Sequence, residues 1–149
     1  MEPPITSLRS YVCAPAPPSG SSATASSPPA ILIVDDDPNV LRAVTRLARS
    51  TGATVASVTG ATAAMSTVPP PPRTAFALAI IDIDLGDPDQ DGIDLAEGLL
   101  HLGRVRRVVF YSAETDPETL RRATAFGPVI PKGDPAAPTR FTAMFARLP

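Results

Sequence analysis

The sequence predicts an α/β fold, a doubly wound parallel sheet in one domain behind an N-terminal tail. Three observations predict it. From Ile31 onward, short apolar runs alternate five times with segments of helical period. The runs are continuously apolar, as strands are when helices cover both faces of a sheet. Most of them end on a polar or charged residue, as strands do where an open α/β sheet carries its site.

Each element has its own reason. Ile31-Leu32-Ile33-Val34 is a first strand, followed by Asp35, Asp36 and Asp37. Pro38 suits the first helical position, where its missing N–H goes unused, with Asp36 or Asp37 as cap. Val40, Leu41, Val44, Leu47 and Ala48 form one apolar stripe that ends near Thr51-Gly52. Residues 54–58 read as a second strand, and an Ala-rich helix over 61–68 is stopped by Pro69–Pro72. Residues 76–81 make a third strand ending at Asp82, and 92–102 a third helix. Residues 108–111 make a fourth strand ending at Ser112. Thr115 or Asp116 caps a fourth helix that closes at Gly127. Val129-Ile130-Pro131 is a fifth strand ending at Lys132. Asp134 is expected to cap the last helix, which carries Phe141, Met144 and Phe145 on one face. Right-handed crossovers then place helices on both sides of a parallel sheet.

Residues 1–30 read differently. Nineteen prolines in the chain are about 13%, against a usual ~5%, and they concentrate here and at 69–72. No charged residue occurs between Ser10 and Val34. Such a Pro/Ser/Ala segment buries too little apolar surface to offset its ordering entropy, so a tail is expected over 1–30 and the domain over 31–149. Its start is not basic and no apolar h-region follows, so no secretory signal is expected; an Arg/Ser-rich organelle transit peptide is the alternative, and a cytoplasmic location is the expectation. No apolar run approaches a membrane span. One cysteine, Cys13, and one histidine, His101, exclude an internal disulfide and a clustered-histidine metal site. A formal net charge of −2 and the absence of Trp speak against direct nucleic-acid binding.

The strand ends assemble the chemistry. Asp35 and Asp36, Asp82, Ser112 and Lys132 follow strands one, three, four and five, so they converge on one edge of the sheet. At ~4 Å and an effective dielectric of ~20, each like-charge carboxylate pair costs up to about 4 kcal/mol. A hard divalent cation with oxygen ligands offsets that, and Mg²⁺ binds through carboxylates and phosphate oxygens. Lys132 is the only lysine in the chain, a compact charge suited to a phosphate oxygen. The set suits a carboxylate that accepts a phosphoryl group.

The segments ILIVDDDPNVL, LAIIDIDL with DGIDLA, VVFYSAE and PKGDP, in this order, resemble the receiver domain of bacterial response regulators in two-component signalling. The resemblance implies a flavodoxin-like fold with sheet order 2-1-3-4-5. It implies Asp82 as phosphoacceptor, Asp35 and Asp36 as metal-pocket acids, and the backbone carbonyl of Asp84 as a further ligand to Mg²⁺. Ser112 becomes the switch hydroxyl and Lys132 the site lysine, with Asp84 and Glu114 beside the path of attacking water. The phosphoryl donor becomes a sensor histidine kinase or a histidine phosphotransfer protein. Output becomes protein–protein contact through the fourth helix, fifth strand and fifth helix, a face that also serves homodimers. A stand-alone receiver is expected, which assists its own phosphoryl transfer and dephosphorylation but is not a conventional enzyme.

Departures accompany the resemblance. Gly86 stands where the family has proline, and Asp91-Gly92 come two residues late, so the 83–92 loop is longer and more acidic. Val129 replaces an aromatic three residues before the lysine. These departures favour a second reading, a pseudo-receiver that keeps the fold without phosphate turnover. A third reading rests on Ile81-Asp82-Ile83-Asp84, which is similar to the nucleophile and acid/base pair of haloacid-dehalogenase-like phosphatases. That family places its metal-binding acids after its lysine, whereas Asp35 and Asp36 precede Asp82.

Overall fold

Strands and helices alternate along the chain in the computed structural model, which describes residues 27–149. The first 26 positions of the expected tail, Cys13 included, lie outside the described residues. The elements are β1 (Ala30–Val34), α1 (Pro38–Ser50), β2 (Thr54–Val58), α2 (Ala61–Ser66) and β3 (Leu78–Ile81). They continue with α3 (Gly92–His101), β4 (Val108–Ser112), α4 (Pro117–Thr124), β5 (Val129–Pro131) and α5 (Ala137–Ala146). The sheet order is β2-β1-β3-β4-β5 and every neighbouring pair is parallel. This is the flavodoxin-like arrangement the sequence predicts.

Side-chain parity divides the core in two. Ile31 and Ile33 of β1, Leu78 and Ile80 of β3, Val109 of β4 and Ile130 of β5 pack with α1 and α5. The alternate residues Leu32, Val34, Ala79, Ile81, Val108 and Phe110 pack with α2, α3 and α4. Both faces of the inner strands are therefore apolar, which is why the runs show no alternation. Phe141 anchors the α5 side, edge-on to Tyr111 at 5.0 Å and stacked on Phe145 at 5.9 Å; such aromatic geometry adds to plain area burial.

Three of the five helix starts follow side-chain capping chemistry. Asp37 accepts the Asn39 N–H at 2.8 Å ahead of Pro38, Asp91 accepts the Asp94 N–H at 2.8 Å, and Asp116 accepts the Thr119 N–H at 2.9 Å. These N–H groups have no partner inside the helix, so each cap satisfies one that water would otherwise have to.

Some expectations are corrected. β2 is not covered on both faces: it is an edge strand whose residues are exposed or half-buried. α2 ends at Ser66, short of Val68, because Val68 precedes Pro69 and is steered out of the α region, while Thr67 is already extended. β3 proper begins at Leu78; Phe76 makes only an isolated bridge to Val105. α3 stops at His101, which is exposed in its last turn. Asp134 does not cap α5: the cap position is Ala136, and Asp134 instead closes the preceding turn by accepting the Ala136 N–H at 2.9 Å. β1 starts at Ala30, and the Thr54 N–H donates to the Pro29 carbonyl at 2.9 Å, so sheet pairing reaches back before Ile31.

One glycine positions the site. A Cβ on Gly92 would lie 1.9 Å from the carbonyl oxygen of Asp82 and 2.8 Å from its carbon. Backbone fills that space, so no side chain can yield. Gly92→Ala is expected to lower stability by about 3 kcal/mol, at the upper end of overpacking costs. Thermal melting checks it: a midpoint within a degree of wild type would contradict the close approach.

Candidate functional site

The β1–β3 register pairs Val34 with Ile81, so the next residues, Asp35 and Asp82, leave the sheet at the same level. The β4–β5 register pairs Ser112 with Pro131, which brings Lys132 up beside them. Asp35, Asp82 and Ser112 are all buried, at 2%, 5% and 2% exposure. Buried carboxylates need partners, and Lys132 supplies them. Its Nζ donates to Asp82 Oδ2 at 2.8 Å and reaches Asp35 Oδ2 at 2.9 Å.

The three consecutive aspartates do different work. Asp35 is buried, with Oδ1 accepting the Asp37 N–H at 2.9 Å and Oδ2 on Lys132. Asp36 is exposed and faces the cleft. Asp37 caps α1. Asp36, Asp82, Asp84, Ser112, Ala113, Glu114 and Lys132 line this cleft of about 340 Å³. Ser112 Oγ accepts the Glu114 N–H at 3.2 Å, which leaves its own proton free to donate. The Glu114 carboxylate turns toward α4, accepting N–H groups of Thr115 and Asp116, each at 2.8 Å.

Electrostatics follow from burial. Desolvation pushes the Asp35 carboxyl above its ordinary value; the Asp37 N–H and Lys132 pull against it, while the charge of Asp82 adds to it. Burial alone would lower the Lys132 ammonium. The hydrogen bonds and charges of Asp82 and Asp35 outweigh it and hold Lys132 above its ordinary value, so it is charged at neutral pH. Asp35, Asp36 and Asp82 each offer an oxygen within 4.8 Å of the others. Three carboxylates against one ammonium leave an excess of negative charge and a set of hard oxygen donors. That donor set fits a hard divalent cation such as Mg²⁺.

The family model for the response regulator receiver domain matches residues 31–129. The chain belongs to the response regulator receiver domain family. The sensor protein TorS of Escherichia coli (strain K12) is 32% identical over 124 residues, which are 82% of this chain and 13% of TorS, so the chain spans only a small part of that relative. A CheY-like receiver domain protein from Methanospirillum hungatei superposes with a TM-score of 0.67 at 24% identity, over 79% of this chain and 90% of that one. The BeF3-activated receiver domain of DrrB, a Thermotoga maritima protein, gives 0.66 at 19% identity, over 80% and 96%. These structures share the receiver fold. Membership sets aside the haloacid-dehalogenase-like reading and agrees with Asp35 and Asp36 preceding Asp82.

Sequence reasoning missed two features of this receiver. Gly92 was visible only as part of a late Asp-Gly pair, whereas its close approach to Asp82 is a contact across the loop. Arg122 of α4 lies 3.6 Å from Asp91 and 3.7 Å from Asp94, joining α4 to the start of α3; no local pattern signals a pair so distant in sequence.

Lys132→Met would leave two buried carboxylates without their cation. Removing one partner of a buried pair costs about 3 kcal/mol or more. The Asp35 carboxyl, already raised by burial, would rise further. The folded variant then binds a proton more tightly than the unfolded chain, so its deficit shrinks as pH falls from neutral toward 5. Chemical denaturation of both proteins across that range checks it; a deficit independent of pH would show that the lysine does not neutralise these acids.

Proposed function

We propose that this receiver accepts a phosphoryl group on Asp82 and signals its phosphorylation state by protein contact. One observation carries the reading: the ammonium of Lys132 bridges buried Asp82 and Asp35 at the mouth of a cleft that Asp36 and Ser112 also line. The donor is a phosphohistidine of a sensor histidine kinase or histidine phosphotransfer protein. An Asp82 carboxylate oxygen attacks phosphorus as the P–N bond breaks, leaving an acyl phosphate on Asp82 and the imidazole on the donor. His101 is not that donor, since it sits exposed at the end of α3 away from the strand ends.

Each residue has a place in this reading. Asp35, Asp36 and Asp82, with the Asp84 carbonyl, would hold Mg²⁺, which neutralises charge on the transferring group. Lys132 exchanges part of its pairing with Asp82 for a phosphoryl oxygen. Ser112 donates its free proton to another phosphoryl oxygen, and the Ser112 side chain, following that oxygen, passes the change on to α4, β5 and α5. Asp84 and Glu114 line the cleft through which water must approach to hydrolyse the acyl phosphate. The protein thus assists its own loading and clearing without turning over a separate substrate. The reading implies a cytoplasmic location; no helix among the described residues is long and apolar enough to cross a membrane.

Treatment with acetyl phosphate and Mg²⁺ is expected to add one phosphoryl group by intact mass. Asp82→Asn should abolish the addition, while Asp84→Asn should leave it largely intact. Persistent modification of the Asp82 variant would move the acceptor elsewhere.

Metal binding has its own readout. A ligand that binds only the folded state stabilises it, by about 2.7 kcal/mol at ~100 times its dissociation constant. Millimolar Mg²⁺ is therefore expected to raise the melting midpoint of the wild type. Asp36→Asn should raise the metal-free midpoint by removing repulsion and should erase most of the response to Mg²⁺. A wild-type midpoint indifferent to Mg²⁺, together with no phosphorylation, would leave the pseudo-receiver reading in its place.

A further inference from the structure

The face expected to carry output has an uneven charge. Helix α5 presents Arg140, Met144 and Arg147 at helical spacing along one stripe. With Pro128 and Val129 at the edge strand β5 and Arg107 at the foot of β4, that stripe lines a cleft of about 460 Å³. All three arginines are exposed. Arg140 has one partner, Asp134 at 3.3 Å; Arg107 and Arg147 have no acidic partner among the described residues. Neither β5 nor α5 contains an acid. The acid of α4, Glu118, is engaged by Arg121 at 2.8 Å.

The helix dipole does not explain this pattern. Arg147 lies at the C-cap of α5, where a cation is favoured. Arg140 lies in the first half of the same helix, where it is not, and Arg107 is on no helix. The cleft therefore combines a basic rim with a floor formed by Val129, Met144 and Pro128.

We propose that this cleft docks an acidic segment of a different protein, carboxylates on Arg107, Arg140 and Arg147 and an apolar side chain against Val129 and Met144. Arginine suits this because its planar guanidinium pairs bidentately with carboxylate. A second copy of the chain is a poor occupant: an isologous contact on this face would set the arginines of one copy against those of the other. A nucleic acid would meet the rim but leave the apolar floor unfilled. The choice of this face as an output surface rests on the receiver reading; the docking chemistry does not need phosphorylation.

The test uses the full chain and a short fluorescent peptide that alternates Glu with Leu, followed by anisotropy at low and physiological salt. Binding is expected, weakening with salt as rim charges do. Arg147→Glu and Arg107→Glu should each weaken it roughly tenfold, the loss of a charge-assisted contact. Met144→Glu, or a peptide with Ser in place of Leu, should weaken it comparably. Arg42→Glu, on the exposed face of α1, should change it little, and melting curves confirm that every variant is folded. Equal affinity for wild type and the Arg147 variant overturns the proposal. So does tighter binding of a DNA duplex than of the peptide, or a dimer in sedimentation that Arg147→Glu dissolves. Acetyl phosphate loading, run in parallel, separates the readings: peptide binding without loading would defeat the phosphoacceptor assignment alone, and loading without peptide binding would defeat this proposal alone.

Discussion

One ammonium group makes the carboxyl edge of this sheet tenable. Strands β1 and β3 lie side by side and in register, so their ends bring Asp35 and Asp82 together in a buried position. Two such carboxylates repel and are poorly solvated. Lys132, delivered by β5 from two strands away, touches both. Its flexible stem lets a single charge serve two acids, where the broader, planar guanidinium of arginine would fit less readily. The protein has twelve arginines among its thirteen basic residues and uses its single lysine at this point.

The same arrangement stores unspent charge. One cation faces three acids, with Asp36 exposed on the open side. A divalent cation would offset that excess, two positive charges against a net two negative ones. The site is thus stable enough to fold and still electrostatically incomplete. A neutral residue in place of Asp36 would relieve repulsion and remove that incompleteness along with it.

Much of this was legible from the chain. The continuous apolar runs specified buried parallel strands because residues of both parities must be apolar when helices lie on both faces. Once strand ends were known, Asp35, Asp36, Asp82, Ser112 and Lys132 followed as neighbours without reference to their chemistry. Residues governed by distant contacts were less legible. β2 reads like an inner strand in composition, but its place at the sheet edge is a matter of topology, which the local pattern does not encode. Asp134 has the composition of a cap, yet the turn of Pro135 and Ala136 intervenes before α5 begins. Arg122 and Gly92 owe their roles to partners brought close only by folding.

The longer 83–92 loop shows how a departure from the family pattern is accommodated beside the site. Three of its acids are engaged locally: Asp84 accepts the Gly86 N–H and Asp87 the Asp89 N–H, each at 2.9 Å, while Asp91 caps α3. Gly86, at φ +71°, supplies the left-handed turn in which a side chain would be strained. The loop is pinched at its base, where the Gly92 N–H donates to the Ile83 carbonyl at 2.7 Å and its Cα rests against the Asp82 carbonyl. Extra residues between Asp84 and Asp91 therefore lengthen a closed excursion, at a closure cost that grows only slowly with length. Asp82 is held from below by the sheet, through its own N–H on the Val34 carbonyl at 2.9 Å. Its position depends on those two anchors, and the residues inserted between them can vary in number and charge while the carboxylate stays on Lys132.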